Sequence, residues 1–376
     1  MSRRIIPFIC LVSLIALTLV ADARAESGAV KPEARRPLVQ IAILLDNSGS
    51  MSGLINQARS ELWKVVNEFV TAKVGDQRPL LQVAIYHYGN PPATKLVGLT
   101  DDLDRVSEVL FGIPVSGGSE YCGQVIQTAV NELEWSDHRG DLKLIFIAGN
   151  EPFTQGPVDY REACSAAAAK GITINTIHCG TGIPDDWRDG ALLADGQSMN
   201  IDHTQAVVHI EAPQDKTIAK LGIDLNNTYI AYGKEGKAGA GRQAEQDENA
   251  SASSVASSQQ RAVAKANAFY NNAAWDLCDA VRDNKVDLAK IAVEDLPEAM
   301  REMTLEQRVA YVAEKQKQRD AIKKMINELN AARTKYVADK RKEMAEDSDE
   351  ASLDEALIEA IRDQATKKEF SFGSQG

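Results

Sequence analysis

The amino-acid sequence predicts an α/β fold, with a doubly wound and mostly parallel sheet, followed by an α-helical C-terminal region. Short apolar runs of strand length alternate with longer segments in which apolar residues recur every three to four positions. This order of strands and helices is typical of a parallel sheet that is covered by helices on both faces. After Tyr232 the apolar runs stop, and from Arg261 onward a helical composition continues to Gly373, which places the second region there.

The N-terminal segment has the layout of a secretory signal. Arg3 and Arg4 precede an apolar run at residues 5–20, and Ala23-Arg24-Ala25 then supplies a small-residue cleavage site. The apolar run is short for a membrane span, which needs about 20 residues. We predict that residues 1–25 are removed and that the protein is periplasmic or secreted, without a membrane span after cleavage. An uncleaved inner-membrane anchor is the alternative.

The α/β domain is predicted at residues 38–232, after a polar leader at residues 26–37. Its first strand, LVQIAILL, is apolar throughout, as expected of a strand that is buried on both faces of a parallel sheet. Six apolar runs are predicted strands, of which the short third one is expected at an edge: residues 38–45, 81–88, 95–99, 142–148, 172–177 and 199–201. Helices are predicted at residues 54–69, 103–110, 125–133, 158–170, 187–193 and 217–221.

The C-terminal region is predicted in two parts. Residues 233–260 are almost without large apolar residues, which is typical of a flexible linker. Residues 261–376 are predicted as a helical hairpin or small bundle with a frayed acidic tail at residues 346–350. An apolar stripe that includes Ile322 and Ile326 is expected to pack on neighbouring helices. Coiled-coil dimerisation and docking of a partner are the alternatives for this stripe.

The loop after the first strand carries the candidate binding residues. Sheets of this kind bind ligands beyond the carboxyl ends of their strands, and the motif Asp46-Asn47-Ser48-Gly49-Ser50 follows that end directly. The Asp46 carboxylate and the hydroxyls of Ser48 and Ser50 are hard oxygen donors that suit Mg²⁺ or Ca²⁺, and they are too few to fill the coordination shell. The alternative is a simple turn in which Ser50 caps the next helix.

The D-x-S-G-S motif after an apolar first strand, within this strand order, resembles the von Willebrand factor type A domain over about residues 38–230. The resemblance implies a metal-ion-dependent adhesion site, in which Asp46, Ser48 and Ser50 are the first-loop ligands of a divalent cation. A threonine of the family's second loop corresponds to Ser119, which follows a glycine pair and keeps a hydroxyl. The blocks GGSEYCG, IFIAGNEPF and NTIHCG are similar to an exported bacterial subgroup of the family.

The third loop departs from the family pattern. The family carries an aspartate there, whereas this sequence has Gly149 at that position, followed by Asn150 and Glu151. The resemblance implies that Asn150, Glu151 or Glu120 shifts into the metal shell, or that water fills the gap. We therefore predict weak binding of Mg²⁺ or Ca²⁺, and a metal-free scaffold is the alternative.

Four cysteines follow the signal peptide, namely Cys122, Cys164, Cys179 and Cys278, and exported proteins commonly pair their cysteines. The first three follow a loop, begin a helix and end a strand, and these positions share one edge of a doubly wound sheet. A disulfide within this trio is predicted, with Cys164–Cys179 favoured, and Cys278 is either a free thiol or the partner of one of the three. A Cys/His metal centre that includes His178 is the alternative.

Composition and motifs disfavour several classes of function. The chain has 54 acidic against 42 basic residues, and this charge disfavours nucleic acid, whose binding needs clustered cations. The first strand is not followed by G-x-G-x-x-G, and a phosphate-binding G-x-x-x-x-G-K-[ST] is absent. The segment GSMSG does not match the nucleophile motif G-x-S-x-G, because Met51 occupies its centre.

We therefore expect a non-catalytic protein-binding module. Its cation would be completed by an acidic side chain of a partner protein, as the resemblance implies. The second hypothesis is a metal-independent envelope scaffold or assembly protein that acts through its C-terminal helices. A metal-assisted hydrolase built on Asp46 with Ser48 or Ser50 is the third. The sequence identifies neither the partner nor the oligomeric state.

Overall fold

The fold is built on a six-stranded sheet, seen in a computed structural model that describes residues 35–51, 63, 65–89, 92–201, 210–344 and 353–373. The predicted signal peptide, nearly all of the leader and the acidic tail lie outside these residues. The strands are β1 (Leu38–Leu45), β2 (Ala72–Val74), β3 (Leu80–His87), β4 (Thr94–Thr100), β5 (Leu142–Gly149), β6 (Thr173–Cys179), β7 (Ser198–Ile201) and β8 (Phe370–Phe372).

The strand order confirms the predicted fold class. Across the sheet the order is β4–β3–β1–β5–β6–β7, and all neighbours are parallel except the β3–β4 pair. These six strands are the six that the sequence predicts, and β4 lies at an edge as expected. The short β2 and β8, which the sequence does not indicate, form a separate antiparallel pair.

Helices flank the sheet and fill the C-terminal region. The helices are α1 (Leu103–Phe111), α2 (Cys122–Glu132), α3 (Tyr160–Ala169), α4 (Asp185–Leu192), α5 (Asp215–Asp224), α6 (Gly236–Ser253), α7 (Val255–Ala266), α8 (Leu277–Arg282), α9 (Glu298–Arg301), α10 (Leu305–Met344) and α11 (Leu353–Thr366). Of the first predicted helix, residues 63 and 65–68 are described and helical. Among the described helices, none has the length and apolar character needed to cross a membrane.

Two apolar cores enclose the sheet, because alternate residues of each strand point to opposite faces. On one face Val39 packs with Val106 of α1 and with Ile361 of α11. On the other face Leu44 packs with Trp187 of α4. Burial on both faces is the physical reason for the uninterrupted apolar run that predicts β1.

The flexible linker predicted at residues 233–260 is wrong, because α6 and the start of α7 occupy this segment. The small and polar residues that suggest a linker are used for close packing. A Cβ at Gly239 would collide with the Trp275 ring, so only glycine allows this approach. Gln243 is buried and donates through Nε2 to Tyr270 Oη at 2.9 Å. Composition alone cannot separate such a helix from a solvated segment.

Buried charges also join α7 to the α/β domain. The Arg261 guanidinium pairs with Asp104 of α1 at 2.9 Å and with Asp247 of α6 at 2.5 Å. Lys265 Nζ pairs with the second oxygen of Asp247 at 2.6 Å. Both basic side chains are almost completely buried, so α7 belongs to the interior of the protein.

The C-terminal region is helical, as predicted; part of it joins the core of the α/β domain, whereas the residues around α8 form a separate apolar cluster. α10 packs against α5 and α7 through the predicted stripe, where Ile326 is fully buried. The chain returns through α11, whose Leu357 joins the same core as β1. β8 then pairs with β2, with Phe370 opposite Val74. The described residues from Arg36 onward accordingly form one compact unit.

The predicted disulfide is wrong, because all four described cysteines are buried free thiols. Cys122 and Cys164 lie in the core on one face of the sheet, whereas Cys179 lies in the core on the other. Cys278 belongs to a third apolar cluster around α8. The prediction that these cysteines lie near one edge of the sheet follows from the topology, but Cys164 and Cys179 lie on opposite faces of the sheet, which separates them.

Candidate functional site

The candidate site lies at the carboxyl edge of the sheet, between β1 and β5, where the strand order reverses. Ligand crevices form at such a point because the chain leaves the two strands towards opposite faces. Backbone hydrogen bonds join three loops here. Asp46 N donates to Ala148 O at 2.9 Å, and Ser116 N donates to Asn47 O at 2.7 Å. The loops after β1, before α2 and after β5 therefore meet.

Asp46 is fully buried at the end of β1. Its Oδ1 atom accepts a hydrogen bond from the Ser48 backbone N–H at 2.7 Å, which closes a tight turn. Its Oδ2 atom is buried and has no hydrogen-bond partner within the described part of the chain. Burial raises the pKa of Asp46 to about 6; hydrogen bonds from Ser48 oppose the rise, and the charges of Glu120 and Glu151 add to it.

Glu120 is a second buried carboxylate at this edge, with 4% of its surface exposed. Its backbone N–H donates to Gln155 Oε1 at 2.6 Å, which holds the loop before α2 in place. The Ser48 hydroxyl lies within hydrogen-bonding reach of the carboxylates of Asp46 and Glu120, and it can donate its single hydrogen to one of them at a time. Burial raises the pKa of Glu120, and the charge of Glu151 raises it further. The carboxylates of Asp46 and Glu120 therefore compete for the hydroxyl hydrogen of Ser48.

The two other predicted serines lie in loops at this edge. Ser119 is half-buried, and its backbone N–H donates to the Gly89 carbonyl at 3.2 Å, next to the end of β3. Ser50 belongs to the short 3₁₀ helix Gly49–Met51 that follows β1. The Ser50 side chain lies outside the described part of the structure.

The third loop contributes half-buried residues. Asn150 and Glu151 follow β5 directly, and both are half-buried. The Glu151 carbonyl accepts a hydrogen bond from the Trp187 indole N–H at 2.9 Å, which anchors the loop on α4. Its carboxylate acts on Asp46 and Glu120 through its charge.

Asn47 ties the loops together, a role that the sequence motif does not indicate. Its Oδ1 atom accepts from the Gly89 N–H at 2.6 Å, and its Nδ2 atom donates to the Pro114 carbonyl at 2.8 Å. Nδ1 of His87 lies 3.1 Å from the same Oδ1 atom. Asn47 thereby connects the β1 loop to the end of β3 and to the loop before α2. Its partners are distant in sequence, which is why the motif alone leaves this role unassigned.

We expect Asn47→Ala to lower the free energy of unfolding by about 1–3 kcal/mol, because the Gly89 N–H and the Pro114 carbonyl would lose their partner. Urea denaturation followed by circular dichroism measures this change. Asn227→Ala is the matched control, since Asn227 is exposed and its change should stay within about 0.5 kcal/mol. Equal denaturation midpoints for the two variants would contradict the role assigned to Asn47.

Gly149 leaves no room for a side chain at the third loop. A Cβ at this position would lie 2.5 Å from Tyr88 Oη and 3.3 Å from both Asp46 Cβ and the Trp187 ring. The buried Tyr88 donates its hydroxyl hydrogen to the Ala148 carbonyl at 2.8 Å. Tyr88 therefore fills the space that a side chain at position 149 would need, which explains the departure seen in the sequence.

The alternative Cys/His metal centre is not formed. His178 Nδ1 lies 2.7 Å from its hydrogen-bond partner, the Gly182 carbonyl oxygen, and Cys179 Sγ contacts the Ile177 carbonyl. Over the described ranges, no three or more His, Cys, Asp and Glu side chains are grouped so that they could hold a metal ion. Any cation at the β1 edge would therefore depend on serine hydroxyls as well as carboxylates.

The strand order, the flanking helices and the three converging loops define a doubly wound α/β domain that carries its binding edge at the switch point. Residues 40–224 match the family model of the von Willebrand factor type A domain, so this part of the chain carries that domain. The predicted family is therefore confirmed. A comparison with curated proteins gave no significant match.

Solved structures with a similar fold come from varied organisms. BatB, a conserved hypothetical protein from Bacteroides thetaiotaomicron, is 19% identical, with 44% of this chain and 90% of that chain covered and a TM-score of 0.34. Proximal thread matrix protein 1 from the mussel byssus, in a structure with a zinc-occupied MIDAS motif, is 18% identical. The match covers 45% of this chain and 43% of that chain, with a TM-score of 0.37. A von Willebrand factor type A protein from Catenulispora acidiphila is 18% identical. The match covers 44% of this chain and 39% of that chain, with a TM-score of 0.35. The chain thus spans less than half of the latter two proteins.

Proposed function

We propose that this chain is an exported, non-catalytic protein-binding module with a degenerate metal-ion-dependent adhesion site. The von Willebrand factor type A domain is a protein-interaction module that often carries such a site. In this proposal Mg²⁺ or Ca²⁺ is bound weakly at the carboxyl edge and joins the domain to an acidic group of a partner protein. Export to the periplasm or beyond rests on the signal sequence at residues 1–25.

The buried Oδ2 atom of Asp46, which has no partner in the described structure, supports this proposal most directly. An ionised carboxylate oxygen without a partner is unfavourable in the protein interior. The charges of Glu120 and Glu151 increase this penalty, because both are acidic. A divalent cation would remove the penalty by pairing with the carboxylate.

The donor set fits a hard cation, because every predicted ligand offers oxygen and Mg²⁺ and Ca²⁺ both prefer oxygen ligands. The residues that would hold the ion are Asp46, Ser48, Ser50 and Ser119, with Asn150 at the third loop, where Glu151 adds a neighbouring negative charge. When bound, the ion would supply positive charge for a carboxylate of the partner. Asn47 connects the loop after β1 to the end of β3 and to the loop before α2 around this position.

Asp46→Asn is expected to stabilise the protein in EDTA by about 1–3 kcal/mol and to remove its response to Mg²⁺ and Ca²⁺. The amide keeps an acceptor for the Ser48 N–H and removes the buried charge. Wild-type protein is expected to gain thermal stability as either ion is added, because an ion that binds only the folded state stabilises it. Thermal denaturation and calorimetric titration, in EDTA and in each salt, measure both effects.

The control for this experiment is Asp185→Asn, which makes the same charge change on an exposed side chain of α4. It should leave both the stability in EDTA and the response to the ions unchanged. If wild-type protein binds neither ion by heat nor by thermal shift, the metal-dependent function is wrong.

A metal-independent scaffold is the second candidate function, favoured by apolar residues exposed on α10. Leu305 and Val309 are 47% and 51% exposed, and their spacing of four positions places them on one helix face. A variant that lacks residues 261–376 cannot test whether the C-terminal helices carry this function, because Leu357 and Phe370 belong to the domain core.

Partner capture from an extract of exported proteins distinguishes the two functions. Capture that survives both EDTA and Asp46→Asn would favour the scaffold over the metal-dependent module.

A further inference from the structure

We propose that Glu120 is the second carboxylate ligand of the cation, supplied by the loop before α2 in place of the third-loop aspartate that this chain lacks. The inference rests on the proposed function, because it assigns one more ligand to the same site. In this arrangement the second carboxylate ligand comes from the loop before α2 and not from the loop after β5, so the site has replaced the missing ligand.

The third loop cannot supply a carboxylate from position 149. A Cβ there would lie 2.5 Å from Tyr88 Oη, and Tyr88 is held by its hydrogen bond to the Ala148 carbonyl. The same Cβ would be 3.3 Å from Asp46 Cβ. A side chain at Gly149 would therefore displace Tyr88 or Asp46 before it could reach an ion.

Glu120 lies at the same edge as the unpartnered Asp46 oxygen, and the carboxylates of both residues approach the Ser48 side chain. It is 4% exposed, and its backbone is fixed by the hydrogen bond from its N–H to Gln155. The hydroxyl of Ser48, itself a predicted ligand, lies within hydrogen-bonding reach of the carboxylates of Glu120 and Asp46. Two carboxylates therefore lie around one hydroxyl, and the Oδ2 atom of Asp46 has no hydrogen-bond partner in the described structure.

Charge balance favours two carboxylate ligands at this point. Asp46 and Glu120 are both acidic, and both are buried, with 0% and 4% of their surfaces exposed. Two buried carboxylates close together strongly disfavour being ionised at the same time. A divalent cation between Asp46 and Glu120 would balance both charges with oxygen ligands of the kind that Mg²⁺ and Ca²⁺ prefer.

A variant of Glu151 serves as the control that distinguishes a carboxylate ligand from a carboxylate that only adds negative charge nearby. It is half-buried and acts on both Asp46 and Glu120 through its charge. Glu151→Gln therefore makes the same charge change as Glu120→Gln at the same edge. The pair of variants is matched in side-chain type and in charge, and it differs in the position of the carboxylate.

Calorimetric titration with MgCl₂ and CaCl₂ tests the inference on full-length wild-type protein and on the two variants. Glu120→Gln should weaken the binding of the ion at least about tenfold, whereas Glu151→Gln should change it by less than about threefold. Glu120→Asp keeps the charge but shortens the side chain and withdraws the carboxylate from the ion, so it should also weaken binding by more than about threefold. Circular dichroism and thermal denaturation in EDTA establish that each variant is folded.

The possible failures are distinguishable. If wild-type protein binds an ion and Glu120→Gln stays within about threefold of Glu151→Gln, Glu120 is not a ligand and the proposed function stands. If Glu120→Asp binds the ion as tightly as wild-type protein does, Glu120 affects ion binding through its charge and not by direct coordination, and the inference is again wrong. If wild-type protein binds neither ion, the proposed function itself fails.

Discussion

Arg319→Ala is expected to lower the free energy of unfolding by about 3–5 kcal/mol. The buried Arg319 guanidinium pairs with Asp276 at 2.7 Å and with Asp279 at 3.0 Å. Both carboxylates are buried as well, so alanine would leave the Asp276 charge without a cationic partner in the interior, and Asp279 would be left with Arg282. The same guanidinium lies 4.0 Å above the Tyr229 ring and donates to the Thr228 carbonyl at 2.8 Å. These contacts fasten α10 to α8 and to the end of the α/β domain.

Urea denaturation of wild-type protein and of this variant measures the loss. Lys324→Ala is the control, because it removes a cation from the same helix where the Lys324–Glu328 pair is exposed. An exposed pair of this kind contributes about 0.5 kcal/mol or less. If the two variants unfold at the same urea concentration, Arg319 does not anchor α10 as described.

Gly149→Asp, which would restore the family's third-loop residue, is expected to destabilise the protein by about 3 kcal/mol or more. The new Cβ would be forced against Tyr88 Oη, and overpacking of this kind alone lowers stability by about 1–3 kcal/mol. The added carboxylate would also lie beside Asp46, in a region that already holds Glu120 and Glu151. Restoring the family residue should therefore weaken the fold without strengthening ion binding.

A double-mutant cycle tests the cause of this effect. Tyr88→Phe removes the hydroxyl that Gly149→Ala would contact, so the two changes together should be less harmful than their sum by about 1 kcal/mol. Gly118→Ala is the control, because a Cβ there meets nothing within 4 Å. A Gly149→Asp protein that is as stable as wild type, or additive effects in the cycle, would exclude Tyr88 as the reason for the glycine.

The sheet is predictable from the sequence because burial on both faces leaves a local trace. β1 and β5 are covered by helices on both sides, so their sequences LVQIAILL and LKLIFIAG are almost continuously apolar. α6 leaves no such trace. Its glycines and glutamines resemble those of a linker, and only the position of Trp275 and Tyr270 shows that they are packed and hydrogen-bonded in the interior.

The cysteines illustrate the same limit at the site. Topology places Cys164 and Cys179 at one edge, because helix starts and strand ends meet there in a doubly wound sheet. The face of the sheet on which each side chain lies depends on the pleat of β6 and on the rotation of α3. The two thiols are consequently in different cores, and no disulfide joins them.

Residues adjacent in the chain are sufficient to specify the α/β domain and to place Asp46, Ser48 and Ser50 in the loop after β1, because hydrophobic period and turn chemistry are local properties. The tertiary packing is needed to see that Tyr88 excludes a side chain at position 149 and that Glu120 lies beside Asp46. Steric exclusion and the penalty for burying a charge depend on neighbours in space, and these neighbours come from other strands and loops.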